Sequence, residues 1–440
     1  MTPTTLTRRQ ALLAGAGLAA GALARPARAD DLAGQLTAWD WSDAPSEFGV
    51  QSQTEFYTKY FPGKYPKLKF SNTIFGYTDL LPKLTVAWRA GNTPDVCRTA
   101  IQWSPQFVNN GQCAEIDEKA LGIPFSEFLP SALVSVRKNG AGEGPLYGIP
   151  TNNEVMFLLY NKALFTKAGL DPNKPPATWD ELASFSKIIH DKTGAYGYGL
   201  VAKQNHGNTP YRFMPVAWAY GGSIFDELLA HPTWKNVGIG GDGVAGALDL
   251  YNRMFNVDKS VQPSALSDDQ TAVQTLFLDG KVAMCIDHPS FPQQVKQLKP
   301  DLEMGGALLP MGPVRRAVVL GGSNFHIRAT SKNQEAVYAL MKEYLAPYWN
   351  SRLGTGAGSE ASTATARASK FAQDFNKDLP YNDLVFEMLP FGVNVPLVPQ
   401  SGQIWNIVVP TMIQQVLSGR ATAKEAAAAA AADVKKMMSA

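Results

Sequence analysis

Aromatic rings and carboxylates set among polar neighbours are the residues of this sequence whose types and spacing suggest chemistry. The chain holds 9 Trp, 15 Tyr and 21 Phe. Trp39, Trp41, Tyr77, Trp103, Tyr211, Trp218 and Trp405 fall at expected strand ends or in polar stretches. An aromatic ring matches the apolar C–H face of a sugar or polyol, while nearby carboxylates, amides and guanidinium groups take its hydroxyls. Taken singly, each of these tryptophans also suits an ordinary core. Groups for turnover are missing. The sequence has no G-x-S-x-G elbow, H-E-x-x-H, P-loop or G-x-G-x-x-G, and no nucleophile has an identifiable base. The histidines, His190, His206, His231, His288 and His326, show no ligand spacing, so neither a metal nor a cofactor is expected. Asp287-His288 reads as a polar pair at a strand end rather than as a base or metal ligand.

The elements that must position these groups alternate from Leu36 onward. Leu36–Trp41 and Leu68–Ile74 read as strands, with a helix after Asp43-Ala44-Pro45 between them. Leu80–Arg89 reads as a helix stopped by Gly91, Asp95–Arg98 as a short buried strand, and the following helix as ending at Gly111. Such alternation predicts parallel sheets covered by helices. Three capping boxes mark later helix starts: Thr178 with Glu181, Ser331 with Gln334, and Thr422 with Glu425. No internal repeat or linker divides the 440 residues into independent halves, although the length suits two or three domains.

Residues 1–29 read as an export signal. Arg8-Arg9 precede a weakly apolar stretch, 11–24, too short to span a bilayer, and Ala27-Arg28-Ala29 offers a small-x-small cleavage site. Paired arginines before a weak hydrophobic segment resemble a twin-arginine signal. Gln10-Ala11 depart mildly from that pattern. Cleavage after Ala29 would place the mature chain in the periplasm. No cysteine precedes Cys97, which excludes a lipoprotein anchor, and no later apolar run is long enough for membrane insertion. Cys97 and Cys113 could pair, but three buried free thiols, with Cys285, is the preferred expectation. Removing residues 1–29 takes four arginines and no acid, so Lys+Arg falls from 40 to 36 against 38 Asp+Glu, and the net charge goes from +2 to −2. That balance argues against a nucleic-acid partner.

Six ordered segments resemble the solute-binding proteins of carbohydrate ABC importers, the group that includes maltose-binding protein. They are Pro94-Asp95-Val96 with Phe107, Gly111 and Glu115-Ile116-Asp117; Tyr147-Gly148-Ile149-Pro150 with Leu158–Lys162; Trp218–Gly222; Phe277–Met284; Leu320-Gly321-Gly322 with Ile327; and Leu417–Arg420 with Glu425-Ala426. The resemblance implies an α/β, two-lobed periplasmic-binding-protein fold with a hinged interlobe cleft. Lobe one would be 30–150 plus 288–327, and lobe two 151–287 plus 328–440. Crossings would fall near Ile149–Asn153, Asp287–Phe291 and Phe325–Thr330. It further implies a non-enzymatic monomer that captures a sugar or polyol and delivers it to ABC importer permease subunits. Ligand-binding residues would be Asp43, Trp41, Trp103, Glu154, Tyr211, Trp218, Asp287 and Trp405, with Trp405 stacking on the sugar and Asp43 and Glu154 accepting from its hydroxyls. Arg98-Thr99 and Ser290 stand where maltose binders carry aromatics, which points away from maltose. Two alternatives stay open. One is a glycerol-phosphate-type binder using Arg98, Arg212 or Arg328. The other is a Tat-exported glycosidase with Asp43 and Glu154 as its paired carboxylates.

Overall fold

The computed structural model describes residues 32–41, 47–229, 232–356, 358–377 and 381–439. The proposed signal segment lies outside them, as does Asp43. In chain order the strands are β1 (Gly34–Trp41), β2 (Leu68–Phe75), β3 (Val96–Ala100), β4 (Ile149–Glu154), β5 (Phe157–Asn161), β6 (Tyr196–Tyr198), β7 (Val282–Asp287), β8 (Met304–Ala307), β9 (Val318–Ile327), β10 (Glu360–Ala361) and β11 (Gly392–Asn394). Two sheets organise them. The larger runs β10-β4-β9-β3-β1-β2, with β11 beside β9, and the smaller runs β6-β7-β5-β8.

Burial explains why short apolar runs become strands here. Every residue of β3, β5 and β7 is buried, so these strands lack the alternation of a half-exposed sheet; β5 and β7 are nearly continuous apolar runs, while β3 buries Arg98 and Thr99 as well. Parallel pairing holds for β1 with β2 and β3, and for β6 with β7. β9 runs antiparallel to both β3 and β4, and β5 antiparallel to β7 and β8. The sheets are therefore mixed rather than mainly parallel, because chain passing between lobes re-enters each sheet from the opposite end. Two of the three capping boxes form: Thr178 with Glu181, and Thr422 with Glu425. Ser331 does not cap. Its hydroxyl donates to Asp95 instead, and the helix Gln334–Leu345 begins after Asn333.

The chain is apportioned differently from the expected lobe division. Phe291 and Val295, on the helix Phe291–Leu298, lie in the core of the small-sheet lobe, and β8 pairs with β5 there. Conversely, the helices Gln334–Leu345 and Pro347–Gly356 bury Val337, Leu340, Tyr344 and Trp349 against Phe56 and Phe61, in the large-sheet lobe. We call the large-sheet body lobe one and the small-sheet body lobe two. The chain passes between them in the Glu154–Phe157 step from β4 to β5. It passes again along β9, whose Val318–Leu320 lie in the lobe-two core while Phe325 and Ile327 lie in lobe one. Farther along, the helix Lys370–Asn376 packs on Pro347–Gly356 in lobe one, whereas the helix Asn382–Met388 packs on β5 in lobe two. The expected crossing at Asp287–Phe291 is instead a turn within lobe two. The return comes later because β8 must first close the sheet.

Where β4 and β9 meet at the crossing, the register shifts between Pro150 and Asn152. Gly322 lies opposite with φ of 132°, and a Cβ there would sit 2.3 Å from the Asn152 carbonyl oxygen. Only glycine meets both demands. Cys97, Cys113 and Cys285 are free and buried.

Candidate functional site

β1 ends in Asp40-Trp41, and its neighbour β3 carries Arg98. The Arg98 guanidinium lies 4.4 Å from the centre of the Trp41 ring and donates to Asp40 Oδ1 at 2.9 Å and Ser323 Oγ at 2.9 Å. Asp40 is completed by Tyr57 Oη at 2.7 Å, Gln53 Nε2 at 3.2 Å and the Trp41 backbone N–H. This buried pair meets the demand that an interior charge be matched and hydrogen-bonded. Above it, Trp41, Tyr77 and Trp103 form an aromatic trio with ring centres 4.8–6.0 Å apart. Gln102 Nε2 donates to Tyr77 Oη at 2.7 Å. Tyr77 is 43% exposed, whereas Trp41 and Trp103 are nearly covered. Tyr77, not either tryptophan, thus offers the open ring of this wall.

Facing it, Glu154 ends β4 at the crossing and lies 2.8 Å from His288 Nδ1, in the turn after β7. His288 Nε2 is 3.1 Å from Gln270 Oε1. Asp287 is buried and accepts from Gln270, Gln274 and the His288 backbone N–H, with Arg212 3.7 Å away. Arg212 also donates to the Ile286 carbonyl. Burial tends to raise the Glu154 carboxyl, but His288 and Arg212 outweigh it, and its pKa lies below the ordinary value. For His288, burial pulls downward, yet Glu154 and Asp287 win and raise the pKa. Burial raises Asp287 despite Arg212.

Tyr211 opens the same side of the cleft, on the helix Asn208–Ala219. Burial drives its phenol well upward, helped by Glu154 and by Tyr77 from the opposite wall. Gly321 makes the floor. A Cβ there would lie 3.1 Å from Tyr211 Oη and 3.3 Å from Glu154 Cβ.

The expected site residues therefore divide. Trp41 and Trp103 meet in one wall, Glu154 and Tyr211 in the other, and Asp287 joins the second through Arg212 and His288. Asp43 lies outside the described residues. Trp218 is a correction: it is fully buried in lobe two, its indole N–H spent on Glu227 at 3.0 Å. Trp405 also has no exposed face. Its N–H donates to the Gly207 carbonyl, and its ring meets Tyr211 edge-on at 5.6 Å. It sits in a π-helical turn, Ile404–Val408, between Ser401–Gln403 and Val409–Leu417, and backs the wall instead of stacking as a platform. Two groups were undervalued in the sequence. Tyr77 was one aromatic among several, and His288 was a strand-end residue whose partners are distant in the chain. A cavity of about 460 Å³ lies elsewhere in lobe two, lined by Gln204, Gln414, Gln415, Arg420 and Glu425 among others, and it includes none of these residues.

The family described as bacterial extracellular solute-binding protein matches residues 50–349. A binding protein of Brucella abortus is 28% identical over 385 residues, covering 86% of this chain and 89% of its own. The mannitol-binding protein of Pseudomonas aeruginosa is 26% identical, with 71% and 74% covered. Among solved structures, an ABC transporter solute-binding protein from Thermotoga lettingae, bound with α-D-tagatose, superposes with a TM-score of 0.74 at 27% identity, covering 91% of this chain and 99% of that one.

Proposed function

The chain belongs to the bacterial extracellular solute-binding protein family, and on that footing we propose that its interlobe cleft captures a neutral sugar or sugar alcohol for delivery to an ABC importer permease. One observation carries the choice of a neutral ligand. Among the described residues each charge at the cleft is already matched: Arg98 with Asp40, Arg212 with Asp287, and His288 with Glu154. Arg328, the remaining candidate cation, is held by Asp95 at 3.1 Å. A phosphate would need a cation to spare, and its desolvation would go uncompensated. The glycerol-phosphate reading is therefore not favoured. A polyhydroxy compound needs rings for its C–H faces and acceptors for its hydroxyls, which Tyr77, Tyr211 and Glu154 supply. Mannitol and tagatose, named for the relatives above, are of this class.

A thermal-shift screen tests the reading. Neutral sugars and polyols are compared with phosphorylated analogues, each at about 100 times an expected Kd, where a true ligand stabilises by about 2.7 kcal/mol. A melting shift from phosphorylated compounds alone would overturn it. Recovery of the bound compound chemically unchanged separates binding from a glycosidase. Export through Arg8-Arg9 belongs to the same proposal. Arg8→Lys with Arg9→Lys should abolish the mature periplasmic form, and undiminished export would count against the twin-arginine route.

A further inference from the structure

We propose that His288 is a positioning residue that works only as an imidazolium, fixing Glu154 as the cleft's carboxylate acceptor for a ligand hydroxyl. This rests on the neutral-ligand reading. The argument is one of hydrogen-bond direction. Glu154 Oε1, 2.8 Å from Nδ1, can only accept while the carboxyl is ionised. On the far side Nε2 meets Gln270 Oε1 at 3.1 Å. The Gln270 amide cannot reverse, because its Nε2 donates to Asp287 Oδ1 at 3.1 Å, and a flip would set two oxygens together. Gln274 Nε2 and the His288 backbone N–H converge on that same Asp287 oxygen. Both ring nitrogens thus face acceptors, and both need a proton.

A neutral imidazole has one N–H. Losing the second proton turns a ring lone pair toward either Glu154 or Gln270. The charged groups around the ring are Glu154 from β4, Asp287 from β7 and Arg212 from the helix Asn208–Ala219; Gln270 and Gln274 are neutral. The two acids outweigh the one guanidinium, which agrees with the raised pKa of His288. The sign follows. The imidazolium is present at low pH and is lost as pH rises through that raised value, so the clamp from Glu154 through His288 to Gln270 opens at one end, Glu154 is held less firmly and the affinity falls. Glu154 Oε2 accepts no hydrogen bond among the described residues, which leaves it for a ligand hydroxyl.

The test joins a ligand-free readout to a binding readout. Imidazole titration by NMR, with His288 assigned from the signal missing in His288→Gln, should show its pKa falling in Glu154→Gln. Calorimetry, well below and well above the imidazole pKa found by that titration, uses whichever of D-mannitol, maltotriose or D-tagatose most raises the melting temperature. Wild type should bind about 10-fold to 100-fold more weakly at the higher pH, whereas His288→Gln should bind weakly and equally at both. Gln270→Met is the second variant should His288→Gln fail to fold, and it should flatten the pH dependence. An imidazole titration untouched by Glu154→Gln, or equal wild-type affinity at the two pH values, overturns the proposal. If none of the three probes binds, the wider thermal-shift screen judges the neutral-ligand reading, and the NMR titration alone decides whether Glu154 holds the imidazolium.

Discussion

On the lobe-one side of the cleft, Trp41, Tyr77 and Trp103 pack on one another over a guanidinium that stays charged at any pH the protein meets. On the other side Glu154, His288 and Tyr211 meet as hydrogen-bonding groups, and their central charge is an imidazolium whose pKa Glu154 and Asp287 raise above the ordinary value against the pull of burial. The first wall is bound into its sheet by Arg98, which links β1, β3 and β9 through Asp40 and Ser323. The second is assembled across the crossing, with Glu154 from the end of β4 and His288 from the turn after β7. A fixed apolar surface thus faces an adjustable polar one. Shape and stacking should belong to lobe one, and hydroxyl recognition and pH response to the groups at the crossing.

Four substitutions would break or sharpen that contrast. Arg98→Met should have the largest effect. It strands Asp40 in the interior and should cost about 3–5 kcal/mol of folding stability, read by urea denaturation. Little change would mean that the lobe-one wall does not depend on its buried pair. Glu154→Gln should leave folding nearly intact and weaken sugar binding by about 1.5–3 kcal/mol, measured by calorimetry. A loss of stability with unchanged affinity would reverse the roles assigned to the two walls. Trp218→Phe removes the donor to Glu227 and leaves that buried carboxylate short of a partner, which should lower stability by about 1–3 kcal/mol while affinity stays the same. A binding defect there would return Trp218 to the cleft. Tyr77→Ala should be mildest, weakening binding by about 0.5–1.5 kcal/mol with little change in melting, because the residue is 43% exposed. If Tyr77→Ala matched Glu154→Gln in affinity loss, the division between shape and hydroxyl recognition would not hold.

Much of this was legible in the chain. The first three strands of lobe one follow from short apolar runs and turn residues, and Glu154, Trp41 and Trp103 enter as candidates through the resemblance of ordered segments. Lobe membership did not follow, because β8 and the helix Gln334–Leu345 are assigned by which core their apolar faces enter, and periodicity is blind to that choice. Tryptophans failed for a related reason. Trp218 and Trp405 have polar neighbours in sequence, yet each spends its N–H inside the fold, on Glu227 and on the Gly207 carbonyl. His288 reads in sequence only as half of a polar strand-end pair, because its partners, Glu154 and Gln270, come from other elements. A pair at one strand end carries no local mark of a clamp closed by distant chain.

The π-helical turn at Ile404–Val408 has a further consequence, for descent rather than for chemistry. Such a turn is an α-helix carrying one surplus residue. Loss of one codon within it would restore regular winding and swing the preceding segment by about 100° relative to the helix that follows. Trp405 would leave the back of Tyr211, and another side chain would take its place behind the cleft. A single in-frame deletion could therefore exchange the support of one wall while the aromatic trio and the buried Arg98–Asp40 pair stayed as they are. Lineages bearing this fold would then have a short mutational path between ligands, open at the C-terminal helices without disturbing either sheet.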